Sequence, residues 1–203
     1  MDYVDFHLHR PAPDGVRGLV SSPARIAVPY FSLQVLPDMA GGDIEKTVAG
    51  LNLDGAVALG EVGLDRRLAV PMARQIEFLT ALLDRFGGGV PVVIHCVRAY
   101  PELNGVLKNR PNRVLLHRFT GSPEEYRRQR DAGRLVSQSP REFAVRHLDD
   151  FVLESDADAD APFDYAAFYR LAAGRCGVDV ELLTERMNRR FDEFTGVKKT
   201  ENV

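Results

Sequence analysis

The sequence has little cysteine, no tryptophan and no long apolar run. Its two cysteines, Cys96 and Cys176, cannot form the disulfide framework of a small secreted domain, which favours a reducing compartment. No apolar stretch approaches the roughly 20 residues that span a bilayer, and the first residues carry no basic and apolar leader. These absences predict a cytoplasmic protein that does not bind membranes.

The chain also lacks a large excess of positive or negative charge, because its formal net charge is −3 over 203 residues. A strongly basic surface for nucleic acids is therefore not expected from composition, although a local basic patch remains open. The positive charge is carried by 22 arginines and only 4 lysines, so a single arginine near a candidate site is weak evidence. The length and the 45% hydrophobic content fit one domain, residues 1–203, with a proper core.

Short apolar runs rich in β-branched residues recur along the chain and predict the buried strands of a parallel sheet. Eight strands are predicted, over Tyr3–Leu8, Val16–Ser21, Phe31–Val35, Gly55–Leu59, Pro91–Ile94, Arg113–Leu116, Arg134–Ser137 and Phe151–Glu154. Helices are predicted over Asp43–Leu51, Pro71–Phe86, Tyr100–Leu107, Glu142–Asp150, Phe163–Ala173 and Val180–Phe194, and another begins after the N-cap Ser122. This order predicts an α/β fold, a (β/α)8 barrel of the TIM type.

The first two connections, Arg10–Gly15 and Ser22–Tyr30, are too short to hold a packing helix. Parallel strands normally need about a dozen residues or more to cross over. We therefore expect a distorted barrel with shortened early connections and thin cover over its first strands.

Six candidate metal ligands each close one of the apolar runs: His7, His9, Glu61, His95, His117 and Asp156. α/β barrels keep their chemistry at the carboxyl ends of the strands, and imidazoles with carboxylates suit divalent metals. Side chains alternate along a strand, so His7 and His9 point the same way. The set exceeds the three protein ligands of one catalytic zinc, and two ions about 3.5–4 Å apart with a bridging carboxylate would use the surplus.

Three neighbouring residues receive other interpretations. Asp5 lies one layer deeper and is expected to have a structural role or to orient a ligand imidazole through its ring N–H, rather than to bind metal. Cys96 should face away from His95 and act as a small buried hydrophobe. His147 is expected on the exposed face of a helix.

The collinear motifs of this chain resemble those of the TatD family of metal-dependent hydrolases, within the amidohydrolase-like barrels. The residues that carry the resemblance are Asp5–His9 for D-x-H-x-H, Gly60–Asp65 for G-E-I-G-L-D, Pro91–His95 for P-V-x-I-H, His117–Ser122 for H-C-F-S-G-S, Glu154–Asp156 for E-T-D, and more weakly Asn188 and Phe191. G-E-V-G-L-D followed by matching ligand positions in order is the most specific part.

The resemblance implies a site for two divalent ions, of zinc, manganese or magnesium. His7, His9, Glu61 and Asp156 would hold one ion, and Glu61, His95 and His117 would hold the other, with Glu61 bridging. It implies hydrolysis of phosphodiesters, often of DNA, by a hydroxide shared between the ions, with Glu61 and Asp156 as catalytic residues. Asp65, Arg98 and Arg118 follow three of the ligands and are the candidate substrate contacts.

Departures from the family pattern bear on the substrate. On the third strand, the family often has S-x-G-x-H-P, where this chain has Gln34 and Leu36 in place of the glycine and the histidine. The family's basic loop after the last ligand is replaced by Ala157–Pro162, which contains Asp158 and Asp160. We therefore expect a small phosphoester or a short nucleic acid as substrate, and no obligate protein partner.

Three other functions compete with this prediction. The same centre could cleave a C–N or ester bond in a small substrate, as amidohydrolase-like relatives do. A barrel without catalysis would be marked by a lost ligand, and all six are present. A phosphoesterase similar to histidinol phosphatases would need more histidines than the five in this chain.

Overall fold

Eight parallel strands lie side by side in sequence order and form a nearly closed barrel. The computed structural model describes residues 2–110, 113–141, 150–157 and 162–197. Within these residues the strands are β1 (Tyr3–Leu8), β2 (Val16–Ser22), β3 (Phe31–Leu33), β4 (Ala56–Asp65), β5 (Val92–Val97), β6 (Val114–Leu116), β7 (Leu135–Gln138) and β8 (Val152–Leu153). The predicted α/β barrel of the TIM type is confirmed.

The barrel closes at the carboxyl ends of the first and last strands. The backbone N–H of Asp156, beyond β8, donates to the His7 carbonyl at 3.0 Å. The N–H of His9 donates to the carbonyl of Ala157, also at 3.0 Å. Two of the candidate ligand segments are thereby joined by main-chain hydrogen bonds.

The described helices alternate with the later strands. They are α1 (Ile44–Gly50), α2 (Met72–Phe86), α3 (Tyr100–Val106), α4 (Pro123–Asp131), α5 (Tyr165–Cys176) and α6 (Val180–Thr195), and a 3₁₀ helix spans Pro37–Gly41. Ser122 caps α4 as predicted, since its side chain accepts from the N–H of Glu125. The helix predicted from Glu142, with His147, lies outside the described residues. None of the described helices is long and apolar enough to cross a membrane.

The two short early connections hold no helix, as the sequence predicted. The last helix covers the first strands instead. On α6, Phe191 packs edge-on against Phe6 of β1 and against Tyr30, with ring centroids 5.3 and 4.9 Å apart. Arg17 of β2 pairs with Asp192 of the same helix. A segment distant in sequence therefore supplies the cover that the short connections cannot.

Strand β4 differs most from its prediction. It runs to Asp65 rather than ending at Leu59, so Glu61 lies inside the strand, at a register shift, and does not close it. Gly60 and Gly63 have φ values of 134° and 155°. A Cβ atom at Gly63 would lie 1.8 Å from the carbonyl oxygen of His95. The absence of a side chain at these two glycines lets β4 lie close to β5. In the sequence alone, two nearby glycines indicate a turn rather than a continuing strand.

Candidate metal centre

His7 and His9 present their rings from the end of β1. Their Nε2 atoms are 3.3 Å apart, which agrees with the alternation of side chains along a strand. The His7 side chain is fully buried, whereas a quarter of the His9 side chain is exposed. One ring thus belongs to the barrel interior and the other faces its opening.

The carboxylate of Glu61 lies between two pairs of histidines. Its Oε2 atom is 3.8 Å from His7 Nε2 and 3.9 Å from His9 Nε2. Its Oε1 atom is 2.6 Å from His117 Nε2 and 2.9 Å from His95 Nδ1. Each oxygen therefore serves one pair, which is the arrangement of a carboxylate that bridges two cations.

Asp156 completes the set from beyond β8. Its Oδ1 atom is 3.5 Å from His9 Nε2 and 3.7 Å from His7 Nε2. Its Oδ2 atom accepts a hydrogen bond of 2.8 Å from Arg118 Nη1. The backbone of Asp156 has a φ of 51°, a conformation that non-glycine residues seldom adopt away from functional sites.

The six predicted ligands therefore meet in one place, and we call them the ligand cluster. Three subsets have ligand atoms that all lie within 4.8 Å of one another: His7, His9 and Glu61; His7, His117 and Asp156; and Glu61, His95 and His117. Imidazole nitrogens and carboxylate oxygens are the donors that zinc and manganese accept. The cluster combines buried imidazole rings, whose nitrogens face one another, with carboxylates that lie between them. This donor set fits divalent cations.

Buried charge shifts the titration of the cluster. Burial alone would raise the pKa of Glu61, but hydrogen bonds from His117 and His95 hold it well below its usual range. Burial, and then the charge of His117, lowers the pKa of His7 to about 3. Burial also lowers the pKa of His117, but the carboxylates of Glu154 and Glu61 outweigh it and raise the pKa to about 10. A cation that binds His117 would have to displace that proton.

Asp65 lies behind His95. Its Oδ2 atom is 3.0 Å from His95 Nε2, and Arg67 donates to both of its oxygens. We expected this carboxylate to contact substrate, but these partners occupy it. Because the hydrogen bond to Nε2 leaves Nδ1 directed at Glu61, Asp65 is placed to orient an imidazole, which was one of the two roles predicted for Asp5.

Asp5 has the structural role, one of the two that the sequence predicted for it. Its Oδ1 atom accepts from the N–H groups of His7 and Ser155 at 3.1 and 3.0 Å, and its Oδ2 atom accepts from the Tyr165 hydroxyl at 2.7 Å. Burial raises the pKa of Asp5 to about 6 although these hydrogen bonds lower it. The carboxyl group thus ties β1 to the segment after β8.

Glu154 is a residue that sequence reasoning left without a role. Its Oε1 atom accepts from the backbone N–H of Arg118 at 2.7 Å and lies 3.7 Å from His117 Nδ1. Its Oε2 atom accepts from the hydroxyl of Ser137 at 2.6 Å. An acid directly after an apolar strand run was the available signal, because a buried carboxylate requires partners.

The two arginines predicted to contact substrate occupy different positions. Arg98 is exposed, and its carbonyl accepts from Arg66 Nε at 2.6 Å. Arg118 is half-buried and lines a cavity of about 160 Å³ together with Arg67, His95 and His117. Arg118 is therefore the better placed of the two to reach a group at the ligand cluster.

Cys96 also borders this cavity but is buried, as predicted. Burial raises the pKa of its thiol to about 12. A thiol with this pKa is protonated near neutral pH, which disfavours a nucleophilic role.

Comparison with known proteins gives a family match over most of the chain. A family model described as TatD related DNase matches residues 30–195. The match begins after His7 and His9, which the geometry of β1 brings to the other ligands. No curated protein matches the chain.

Among solved structures, the chain is similar to a hydrolase TatD family protein from Entamoeba histolytica. The TM-score is 0.64, at 15% sequence identity, over 89% of this chain and 75% of that one. At this identity the likeness shows the barrel fold alone.

Proposed function

This chain belongs to the TatD-related DNase family of hydrolases, and we propose that it cleaves phosphodiester bonds with two divalent metal ions held by the ligand cluster. The observation that carries the proposal is the placement of Glu61, whose two carboxylate oxygens each face one histidine pair. His7 and His9 with Asp156 would hold one ion, and His95 with His117 would hold the other. Zinc, manganese and magnesium all fit as candidates.

Two bound ions would lower the pKa of an attacking water and neutralise charge on the phosphoryl oxygens. The chain's own residues supply the acid–base chemistry. Burial raises the pKa of Asp156, but its hydrogen bond with His9 and nearby positive charges hold it below its usual range. Its carboxylate is therefore ionised near neutral pH and can accept the proton of the attacking water.

Arg118 is the residue placed to orient the substrate. Its guanidinium binds Asp156 Oδ2 and borders the cavity next to His95 and His117. A planar guanidinium can donate to two phosphate oxygens at once. We therefore assign Arg118 the role of donating hydrogen bonds to the non-bridging oxygens of a phosphoryl group at the ligand cluster.

The substrate we propose is a small phosphoester or a short nucleic acid. The basic loop typical of the family after its last ligand is replaced by a segment with Asp158 and Asp160, both outside the described residues. Affinity for long nucleic acids scales with the number of phosphates that cations neutralise. We therefore expect weak, steeply salt-sensitive activity on long DNA and measurable activity on a small diester.

The test is hydrolysis of bis-p-nitrophenyl phosphate by the purified chain with Mn²⁺, Mg²⁺ or Zn²⁺, before and after a chelator. Turnover should require metal, and Asp156→Asn should lower it by about two orders of magnitude. Asp131→Asn, at an exposed acid on α4, is the matched control. Turnover that survives chelation would overturn the proposal, and faster cleavage of amides or carboxylic esters in the same assay would favour the amidohydrolase alternative.

A further inference from the structure

Two cavities that differ in charge adjoin the ligand cluster. The cavity beside His95 and His117, at the ends of β4 to β6, is lined by Arg67 and Arg118 and has a volume of about 160 Å³. A larger cleft of about 480 Å³ opens beside His9, at the ends of β1 to β3. Because the strands follow in order around the barrel, the basic cavity and the cleft occupy different arcs of the same rim.

Apolar side chains form most of the cleft wall, from Pro11, Val20, Pro23, Ile26, Ala27 and Val28, and we call it the apolar cleft. Polar side chains also line it, from His9, Ser21, Ser22 and Gln34. Among the described residues that line it, only His9 can carry a charge near neutral pH. Ligand pockets of roughly 300–1,000 Å³ with mostly apolar walls and a few polar groups bind small organic molecules. An anion would lose hydration in this cleft and could gain only His9 as a cation.

Hydrogen bonds hold the wall of the cleft in place. The Ser22 hydroxyl donates to the carbonyl of Ala24 at 2.8 Å and accepts from its N–H at 3.3 Å. The N–H of Val28 donates to the carbonyl of Ile26 at 3.1 Å. Ile26 and Val28 also pack on the barrel core. These contacts restrict the conformations of the wall, which lowers the entropy that a ligand would have to remove.

The apolar cleft is continuous with the ligand cluster. Gln34 lines the cleft, and its Nε2 donates to Glu61 Oε2 at 3.2 Å. His9 lines the cleft as well, and its Nε2 lies 3.5 Å from Asp156 Oδ1. A phosphoryl group at the cluster therefore has the arginines on one side and the apolar cleft on the other.

We propose that the apolar cleft binds the uncharged ring of the substrate's ester group, an aryl or nucleobase ring, while the phosphoryl group lies at the ligand cluster. This proposal rests on the proposed function and narrows it to small phosphoesters that carry a ring. The charged remainder of the substrate points to the cavity with Arg67 and Arg118.

Two phosphonates test the proposal without turnover. Benzylphosphonate and methylphosphonate carry the same charged group, resist hydrolysis, and differ only by the ring. Calorimetric titration into the full chain with Mn²⁺ should show benzylphosphonate binding at least about tenfold more tightly, since burying a ring is favourable.

Ala27→Trp fills the apolar cleft, and Ala24→Trp is its matched control. Both alanines are exposed and lie in the same segment, but Ala24 does not line the cleft. The ratio of the two affinities should fall towards one in Ala27→Trp and stay at its original value in Ala24→Trp. A change of the ratio in either direction that is confined to Ala27→Trp places the ring in the cleft.

Equal binding of the two phosphonates by the unaltered chain would overturn the proposal. A ratio within about twofold of the original in Ala27→Trp would overturn it as well. If neither phosphonate binds in the presence of Mn²⁺, the phosphoryl site itself is absent and the proposed function fails. The two failures are therefore distinguishable.

Discussion

The two halves of the ligand cluster are supported in different ways. In the His95–His117 half, His95 is hydrogen-bonded to Asp65 at 3.0 Å. His117 Nδ1 has no hydrogen-bond partner among the described residues, but it lies 3.7 Å from the carboxylate of Glu154. In the His7–His9 half, His7 Nδ1 is likewise buried without a hydrogen-bond partner among the described residues. The support there goes to the backbone, because Asp5 accepts from the N–H of His7.

The distances between ligand atoms differ in the same sense. In the His95–His117 half, the two nitrogens and Glu61 Oε1 lie 2.6 to 3.2 Å from one another. In the His7–His9 half, the separations between ligand atoms range from 3.3 to 3.9 Å. Carboxylates behind the rings fix ring orientation and raise ligand basicity. The ring positions in the His95–His117 half therefore depend on carboxylates behind the rings. Those in the His7–His9 half depend on Glu61, Asp156 and the backbone of β1.

The substitution with the largest expected effect is at Glu61, whose carboxylate both halves of the ligand cluster share. Glu61→Gln takes away the carboxylate whose two oxygens each face one histidine pair, so both ions should bind weakly. We expect hydrolysis to fall about a thousandfold, since a metal centre contributes several kcal/mol. Metal content per chain and turnover of a small diester measure it, with Glu77→Gln on the exposed face of α2 as control. Retention of two ions per chain would contradict the bridging role.

Gly63→Ala should damage the His95–His117 half through the backbone. A Cβ at this position would lie 1.8 Å from the His95 carbonyl oxygen, so β4 and β5 would have to separate. We expect the free energy of unfolding to fall by about 3 kcal/mol or more.

The matched control is Gly174→Ala on α5, where a Cβ meets nothing within 4 Å. Alanine should stabilise that helix by up to about 1 kcal/mol. Denaturant unfolding of both variants measures the difference. Equal stabilities would show that β5 yields easily and that close strand contact does not set the position of His95.

Asp65→Asn should change the metal affinity of one half of the ligand cluster and leave that of the other half unchanged. The variant keeps the size of the side chain but weakens the hydrogen bond that directs His95 Nδ1 at Glu61. Loss of such a partner typically lowers metal affinity about 10- to 100-fold. We expect one weakened and one unchanged ion in a metal titration. Two unchanged ions would show that the carboxylate serves Arg67 rather than His95.

Much of this arrangement could be predicted from the sequence, because its signals are local. Apolar runs ended by polar residues indicate buried strands, and the bounds of β1 agree with its prediction residue for residue. The extension of β4 past Glu61 could not be predicted, because glycine at positions 60 and 63 signals a turn when the neighbouring strand is not seen. The convergence of the ligands follows from barrel topology, whereas their binding of metal stays a prediction.

The parts that sequence reasoning missed depend on distant contacts. Asp65 meets an imidazole and Asp5 meets backbone N–H groups, because ring orientation decides which carboxylate meets which nitrogen. Helix α6 covers β1 through Phe191 and Phe6, a pairing between opposite ends of the chain that periodicity does not reveal. Glu154 was missed because its partners, Ser137 and Arg118, come from other strands.

The smallest expected effect concerns Arg118, which follows His117 in sequence but binds Asp156 in the other half. If its guanidinium orients the substrate, Arg118→Leu should raise KM for a small diester about tenfold, because a charged hydrogen bond contributes about 1.5 kcal/mol or more. Arg98→Leu, which removes an exposed guanidinium near His95, should change KM less than twofold. If Arg118 only balances the charge of Asp156, the variant would alter metal affinity in the His7–His9 half and leave KM unchanged. Steady-state kinetics at saturating metal, paired with a metal titration, therefore decides whether Arg118 serves the substrate or the link between the two halves.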